Sequence, residues 1–366
     1  MITIDARWIN TSGIGTYLRQ IIPGIVDRFS KYEITLLGEP DELLTMLGGI
    51  PDNCVFVTSR AKMYSIREQF DYLRLIPRNT TLYFSTHYNI PLFYTGLMLV
   101  TVYDLMHVAM PQFVVGYHKR FYAKIMFAAV RRKADTILTI SEFTKCELRR
   151  LVGDFSQPVM PILLGVDDVW YSIPAQRSPH SRPYFLYVGN IKPHKNLSVL
   201  VKAFSLIAND IEHDLILVGK KEGFITGDQE VFHMARKLGD RVRFTGRVTD
   251  DQLRQYFHHA DAFVFPSLYE GFGLPPLEAM AAGCPVLVST AGSLQEVCGD
   301  AALYFNPLKI EDLAEKLLML VSDSDLCDSL IKRGLERARL FKWESCVRQT
   351  CDVIHNILPI CKESTS

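Results

Sequence analysis

Short, continuously apolar runs alternate with helical patterns along nearly the whole chain. The runs at 184–188 (Tyr-Phe-Leu-Tyr-Val) and 215–218 (Leu-Ile-Leu-Val) have no polar face, as is typical of parallel strands buried on both sides. The stretch 196–209 instead repeats apolar residues such as Leu200 and Phe204 with the 3.6-residue period of a helix. Strands that alternate with helices predict βαβ units and therefore parallel sheets.

The same patterns predict two groups of strands with helices between them. Strands of the first group are expected near 1–5, 33–38, 54–58, 82–85, 97–103, 136–140 and 159–163. Strands of the second group are expected near 184–188, 215–218, 242–244, 262–265, 285–288 and 302–305. Helices are expected near 15–28, 41–48, 65–76, 117–133, 142–152, 196–209, 229–238, 250–259, 275–282 and 310–321.

A polar break that contains three prolines, at 172–183, separates the two groups and is typical of an interdomain linker. We therefore predict an α/β protein with two doubly wound domains of similar size, residues 1–172 and 173–345, that face a cleft. Ligands of such sheets bind beyond the carboxyl ends of the strands. Functional residues are accordingly expected in loops that directly follow strands.

Charge and cysteine usage exclude several classes of protein. The chain has 40 basic and 40 acidic residues, whereas a dedicated nucleic-acid binder usually has a marked basic excess. Its eight cysteines form no Cys-x-x-Cys pair, which favours reduced thiols over a disulfide framework or a zinc site. The first residues lack a signal-peptide pattern, and no apolar run approaches the roughly 20 residues that span a bilayer. We expect a cytoplasmic protein, with peripheral contact to the inner face of the membrane as the alternative.

Two carboxylates, Glu270 and Glu278, have seven residues between them and lie around a predicted helix start. The residues between them include two glycines, which permit a tight turn or close approach of a ligand, and two prolines suited to a first helical turn. Free N–H groups at a helix start bind anions. Carboxylates that flank such an anion site suggest a sugar attached to a nucleotide diphosphate. Two glutamates without other supporting motifs would more often be solvated residues.

Two other loops that follow strands carry candidate ligand contacts. Gly13 and Gly15 follow the first strand and suit an anionic ligand, but Leu18 stands where a dinucleotide fingerprint needs its third glycine, so a structural turn is equally expected. Lys195 and His194 crowd the loop between the strand at 184–188 and the next helix. A lysine is poorly placed at a helix entrance unless something negative, such as a diphosphate, lies there.

For three further features a structural interpretation is expected at least as strongly as a functional one. Asp104 follows the strand at 97–103 and could position a sugar hydroxyl or act on the acceptor, but a turn residue is equally expected. Ser141 is expected to cap a helix. The segment 117–133 mixes Lys and Arg with aromatic residues. Most such segments are solvated faces, and a minority hold a protein at anionic lipid.

Together these motifs resemble the retaining glycosyltransferases of family four, which have the GT-B fold of two Rossmann-like domains. The resemblance covers nearly the whole chain and is strongest at Glu270-x7-Glu278 within Pro-Ser-Leu-Tyr-Glu-Gly-Phe-Gly-Leu-Pro. Supporting segments are Gly165-Val166-Asp167, Val188-Gly189 with Lys195-Asn196, Phe244-Thr245-Gly246, Ala282-Gly283-Cys284-Pro285-Val286 and Gly292-Ser293-Leu294-Gln295-Glu296. It also implies that a final helix, near 344–356, crosses back to the N-terminal domain, so that residues 346–366 form a third segment of this helix and a tail.

The resemblance implies a role for each matching position. Glu270 would contact the donor sugar and Lys195 would neutralise the diphosphate, with Asp104 as the third candidate catalytic residue. Residues expected to bind the donor are Gly15, Asn190, His194, Arg247, Val248, Phe272, Gly273, Leu274 and Glu278, the last on the ribose. No metal or other cofactor is expected, because Lys195 and a helix start can take the metal's place.

Two positions depart from the family pattern. Asn190 stands where relatives often have arginine, so Lys192 or His194 would have to supply that cation. Tyr103 stands where relatives often have histidine before Asp104, which removes an expected sugar contact.

The activity that this resemblance implies is retaining transfer of a hexose, with mannose from GDP-mannose as the first expectation. The acceptor would be a glycan or a lipid-linked molecule in surface polysaccharide synthesis, and nucleic acid is not expected as a partner. A UDP-hexose transferase of the same fold is the nearest alternative. More remote alternatives are a dinucleotide-dependent oxidoreductase and an inactive GT-B partner subunit.

Overall fold

The computed structural model describes residues 1–59, 61–114, 116–219 and 229–359, which contain every predicted strand. The first seven strands are β1 (Ile2–Asp5), β2 (Ile34–Leu37), β3 (Cys54–Val57), β4 (Leu82–Ser85), β5 (Leu97–Val102), β6 (Thr136–Thr139) and β7 (Val159–Pro161). The other six are β8 (Tyr184–Val188), β9 (Asp214–Val218), β10 (Val242–Gly246), β11 (Ala262–Phe265), β12 (Val286–Ser289) and β13 (Leu303–Phe305).

The helices of the first half are α1 (Ser12–Arg28), α2 (Pro40–Leu47), α3 (Ile66–Leu75), α4 (Met106–Ala109), α5 (Tyr117–Lys133) and α6 (Glu142–Val152). Those of the second half are α7 (Leu197–Ile207), α8 (Gln229–Lys237), α9 (Asp250–His258), α10 (Leu274–Ala281), α11 (Leu294–Cys298), α12 (Ile310–Ser322), α13 (Ser324–Ala338) and α14 (Trp343–Ile357). Every helix predicted from periodicity is present, whereas α4, α11 and α13 were not predicted.

Two parallel sheets organise the chain, as predicted. One has the strand order β3-β2-β1-β4-β5-β6-β7 and the other the order β10-β9-β8-β11-β12-β13. The second order is that of the Rossmann fold, and the first extends the same order by one strand. Since the direction of winding reverses between β1 and β4 and again between β8 and β11, these two points are where ligands of such sheets bind.

The described chain forms two compact units. One comprises residues 1–165 with the segment from Trp343 onward, and the other comprises Val166–Lys342. Helix α14 packs on α1 in the first unit, where a Cβ added to Gly24 would lie 2.3 Å from Cγ1 of Val347. The side chain of Val347 therefore packs directly against the backbone of α1 at this glycine, where a larger residue would require Val347 to shift.

Candidate functional site

Lys195 and Glu270 form an ion pair at the reversal point of the second sheet. Lys195 lies in the loop that follows β8, Glu270 lies in the loop that follows β11, and these two strands are neighbours. Lys195 Nζ donates to Glu270 Oε1 at 2.5 Å, and the two side chains are 19% and 14% exposed. Residues 75 positions apart in the sequence are thus brought together where the topology predicts a ligand site.

The surroundings hold this pair in place while leaving it accessible. Lys195 Nζ lies 5.1 Å from the ring centroid of Phe265, within the range of a cation–π contact. The backbone N–H of Leu268 donates to the carbonyl of His194 at 2.7 Å and ties the two loops together. Burial, and secondarily the charge of Glu270, raises the pKa of Tyr187 at the end of β8.

The backbone of Glu270 is fixed by the segment that follows β12. The N–H of Ser293 donates to the Glu270 carbonyl at 3.1 Å, and its hydroxyl donates to the Phe272 carbonyl at 2.7 Å. Gly292 has φ +65°, and a Cβ there would lie 2.5 Å from the Glu270 carbonyl oxygen. The glycine and serine of the 292–296 motif therefore shape the loop that presents the carboxylate.

Helix α10 begins directly beyond this loop. Its N-cap residue, Gly273, has φ +117° and offers no side-chain cap, and Pro275 and Pro276 lie in its first turn. Phe272 is buried, and Leu274 is the first helical residue. The start of the helix is therefore positively polarised without an acidic cap, which is the arrangement that an anion site requires.

Glu278 lies inside α10 and is half-buried. Burial raises the pKa of its carboxyl to about 7, and the negative charge of Asp250 adds to the rise. Asp250 begins α9, so Glu278 lies near the loop that carries Arg247 and Val248. A carboxylate that is costly to ionise gains from hydroxyl donors such as those of a ribose.

The predicted ligand-binding residues of the loop after β8 differ in their exposure to solvent. Asn190 is exposed, and its carbonyl accepts from the Tyr187 hydroxyl at 3.1 Å. His194 is buried, whereas Lys192 is exposed. Of the two cations predicted to take the place of that arginine, Lys192 is thus the more accessible, and its contact with a ligand stays a prediction.

Asp104 and Gly15 belong to the first unit and have structural partners. Asp104 Oδ1 accepts from the backbone N–H of Met106 at 2.9 Å, which is the turn role that the sequence left open. A Cβ on Gly15 would lie 2.2 Å from the carbonyl of Ile9, so the chain itself approaches this glycine closely. Their proposed contacts with ligands stay predictions. Ser141 caps α6, as predicted, by accepting from Thr144 N–H at 3.0 Å.

Sequence reasoning missed a buried ionic cluster at the reversal point of the first sheet. Arg7, just beyond β1, donates to Asp5 Oδ2 at 2.7 Å and pairs with Glu68 Oε1 at 2.8 Å. Asn89 Nδ2 donates to the same Glu68 carboxylate at 3.0 Å. The placement of Asp5 and Arg7 around the end of the first strand was the signal available in the sequence.

Aromatic rings accompany this cluster. The indole of Trp8 stacks on the imidazole of His87 with 4.1 Å between ring centroids, and Tyr103 lies 6.4 Å from the same imidazole. Burial lowers the pKa of His87 to about 3, so this ring is neutral. Trp8 Nε1 and Tyr103 Oη are buried and have no hydrogen-bond partner within the described ranges.

Among the residues that the structure describes, no group of three or more His, Cys, Asp or Glu is arranged to hold a metal ion. The expectation of metal-independent chemistry stays a prediction. None of the described helices is both long and apolar enough to span a bilayer.

Comparisons with known proteins agree with the resemblance. Residues 169–337 match the family model described as glycosyl transferases group 1. The O-antigen chain mannosyltransferase B of Escherichia coli is 32% identical over 250 residues, which cover 64% of this chain and 65% of that protein. The O-antigen chain mannosyltransferase RfbU of Salmonella typhimurium is 29% identical over 229 residues, which cover 63% of this chain and 62% of that protein. The matches therefore span less than two thirds of these relatives.

Solved structures match over nearly the full length of the chain. Sucrose-phosphate synthase from Thermosynechococcus elongatus has a TM-score of 0.77 at 22% identity and covers 97% of this chain and 98% of its own. Anabaena HepE, solved in complex with UDP and glucose, has a TM-score of 0.76 at 16% identity and covers 97% of this chain and 99% of its own. The fold is thus the predicted GT-B fold, and the match of residues 169–337 to the glycosyl transferases group 1 model agrees with the predicted resemblance to glycosyltransferases.

Proposed function

We propose that this chain transfers a hexose, with retention of the anomeric configuration, from a nucleotide diphosphate donor to a glycan or lipid-linked acceptor in surface polysaccharide synthesis. We further propose that the donor is GDP-mannose, since relatives such as those from Escherichia coli and Salmonella typhimurium are named O-antigen mannosyltransferases. The observation that carries the activity is the Lys195–Glu270 pair at the reversal point of the second sheet, beside the uncapped start of α10.

The proposed chemistry is electrostatic. Negative charge grows on the diphosphate as the glycosidic bond breaks, and donors that are already oriented toward that charge lower the barrier. Lys195 and the N–H groups at the start of α10 are such donors. Glu270 would hold a sugar hydroxyl and stabilise positive charge at the anomeric carbon, while Glu278 would hold the ribose and the main chain at Arg247 and Val248 would contact the base.

Donor binding would change the partner of Lys195. In the structure its ammonium is bound to Glu270 at 2.5 Å. A diphosphate carries more negative charge than one carboxylate, so it would draw the ammonium away from Glu270 or share it. Glu270 would then be free to accept from the sugar, which couples arrival of the donor to the readiness of the carboxylate.

The acceptor is proposed to bind at the carboxyl edge of the first sheet. Trp8 Nε1 and Tyr103 Oη are buried donors without partners within the described ranges. Arg7 already binds two carboxylates, so this edge suits a neutral, hydroxylated ligand better than a phosphate. A lipid-linked acceptor would bring the protein to the membrane surface as a peripheral enzyme.

A thermal-shift panel of GDP, UDP, ADP and dTDP, with their hexose conjugates, tests the donor. A ligand present at about 100 times its Kd stabilises a protein by about 2.7 kcal/mol, which raises Tm by roughly 5–10 °C for units of this size. GDP and GDP-mannose are expected to give the largest shift. A larger shift with UDP and a UDP-hexose would favour the donor class seen in the HepE complex.

Product analysis tests the activity itself. With the preferred donor and an oligomannoside or lipid-linked acceptor, the expected outcome is release of nucleoside diphosphate and a product of retained configuration by NMR. Stabilisation by NAD alone would support an oxidoreductase instead. Absence of both binding and release across the panel would support an inactive partner subunit.

A further inference from the structure

Helix α3 turns an apolar stripe toward solvent. Ile66 is 80% exposed, and Phe70 and Leu73, at the i+4 and i+7 positions, are each 57% exposed. The ring of Phe70 stacks on that of Phe93, which is also more than half exposed, with 6.1 Å between centroids. Single exposed apolar residues are common, but an aligned set with an exposed aromatic pair marks a binding surface.

Helix α5 carries a second stripe of the same kind. Tyr117 is 87% exposed and Phe121 is 67% exposed, and Ile125 continues the i, i+4, i+8 row. The opposite face of this helix packs in the core through residues such as Met126 and Phe127. The stripe therefore lies on the outer face of a well-anchored helix.

The two stripes lie on neighbouring helices of the same unit. The ring of Tyr64, just before α3, lies 5.8 Å from the ring of Tyr122 in α5. The hydroxyl of Tyr122 donates to Asn89 Oδ1, and Asn89 Nδ2 in turn donates to Glu68 of α3. We call the exposed stripes of α3 and α5, together with Phe93, the two-helix surface.

Positive charge surrounds the two-helix surface. Helix α5 contains no Asp or Glu, and its cations are Lys119, Arg120, Lys124, Arg131, Arg132 and Lys133. Helix α3 adds exposed Arg67 and Arg74. Of the acids on α3, Glu68 is buried and paired with Arg7, and Asp71 is half-buried. Because the whole chain has zero net charge, this excess is a local feature.

The start of α5 is unfavourable for an isolated helix. Its N-cap, Gly116, makes no side-chain cap, and its first turn carries Lys119 and Arg120 but no acid. Cations at this end oppose the helix dipole. Such placement makes sense where an anionic partner lies against the N-terminal half of the helix.

We propose that the two-helix surface docks on an anionic lipid bilayer. The apolar side chains of its stripes would enter the boundary between headgroups and acyl chains, and the surrounding lysines and arginines would contact anionic headgroups. Lys119, Lys124 and Lys133 favour lipid over a protein partner, because protein interfaces are depleted in lysine although they are enriched in arginine and aromatic residues. Docking at this surface would explain how the enzyme of the proposed function associates with the membrane periphery. Its biological role therefore rests on that proposed function.

Vesicle sedimentation with the full chain tests this proposal. The protein is expected to sediment with vesicles that contain phosphatidylglycerol, to bind pure phosphatidylcholine vesicles far more weakly, and to be released by high salt. Replacing Lys119 and Lys124 with glutamine should weaken binding about 25-fold, since each cation near such a surface contributes about fivefold. Phe121→Ser should weaken it by about tenfold through lost apolar burial.

Matched variants separate a specific surface from general stickiness. Leu308→Ser and Lys332→Gln change an exposed apolar residue and an exposed cation of the other unit, so binding should be unchanged. Replacing Lys119 and Lys124 with arginine keeps the charge and should keep binding. All these side chains are exposed, so melting curves should match the parent chain.

Three results would overturn the proposal. They are equal binding to both kinds of vesicle, no binding to either, and a concentration-dependent dimer in sedimentation velocity that Phe121→Ser abolishes. The last would assign the surface to a second copy of the chain. Vesicle binding does not require a donor, so it can fail while the nucleotide panel succeeds, and the reverse also holds.

Discussion

Replacing Glu270 with glutamine should separate turnover from nucleotide binding. The substitution keeps the shape of the side chain and removes its charge. Ser293 and Gly292 hold the backbone of Glu270 through main-chain contacts, so the loop should keep its conformation. The direct effect is therefore limited to the carboxylate and to its partner, Lys195.

The size of the effect follows from the ion pair. Both side chains are less than one fifth exposed, so the 2.5 Å pair lies between exposed pairs, worth about 0–1 kcal/mol, and fully buried ones, which cost about 3–5 kcal/mol to break. We expect Glu270→Gln to lower the free energy of unfolding by about 1–2 kcal/mol. Loss of a preorganised charge at the reacting centre should lower kcat by about 10²–10³.

Nucleotide binding should respond in the opposite direction. Glu270→Gln releases Lys195 from its partner, so the Kd for the preferred nucleoside diphosphate should be unchanged or several-fold lower. Lys195→Met is the matched variant, because it removes the cation and should weaken that binding by about 1.5–3 kcal/mol, or about 10–150-fold. Titration calorimetry and single-turnover transfer measure the two effects. Equal loss of nucleotide affinity in both variants would refute the assigned division of roles.

Three further predictions concern Gly292, Glu278 and the dependence of activity on metal ions. Gly292→Ala should destabilise the protein by about 1–3 kcal/mol in urea unfolding, because its φ is +65° and a Cβ would meet the Glu270 carbonyl, whereas Gly13→Ala meets no atom within 4 Å and should not. As the pH rises from about 4.5 to 7, the free energy of unfolding should fall by up to about 3 kcal/mol, because burial raises the pKa of folded Glu278 to about 7 and its ionisation opposes folding. Glu278→Gln should flatten this dependence of stability on pH. Parallel stability–pH profiles for the variant and the parent chain would contradict the prediction. A chelator should leave transfer activity largely unchanged. Loss of transfer activity on addition of the chelator would refute metal independence.

The strands could be predicted because their burial is visible directly in the order of residues along the chain. A strand such as β8 is covered on both faces, so its sequence is continuously apolar and stands out from its neighbours. Helices α4 and α11 have four and five residues, too few for a 3.6-residue period to show. Helix α13 was missed although Asp323 caps it by accepting from Leu326 N–H, a signal that the sequence contains.

The candidate site was only partly predictable. Sequence patterns placed Lys195 and Glu270 after separate strands. Their direct contact depends on β8 lying beside β11, and local patterns predict strands without specifying which strands are neighbours in the sheet. The Asp5–Arg7–Glu68 cluster was missed for the same reason. Glu68 lies in the first turn of α3, where an acid is ordinarily explained by the helix dipole, and only the folded sheet brings Arg7 to it.

The two reversal points differ in how their charges are satisfied, and this difference bears on which ligand each would take. In the first sheet, Arg7 is buried between two carboxylates. Nearby lie the neutral His87 and the donors of Trp8 and Tyr103, which have no hydrogen-bond partner among the residues that the structure describes. In the second sheet, Lys195 has one carboxylate partner that is partly exposed and can be exchanged. An incoming diphosphate would have to break two buried ion pairs at the first point but only one accessible pair at the second. The cost of desolvated, unpaired charge thus favours the anionic donor at the second sheet and a neutral acceptor at the first.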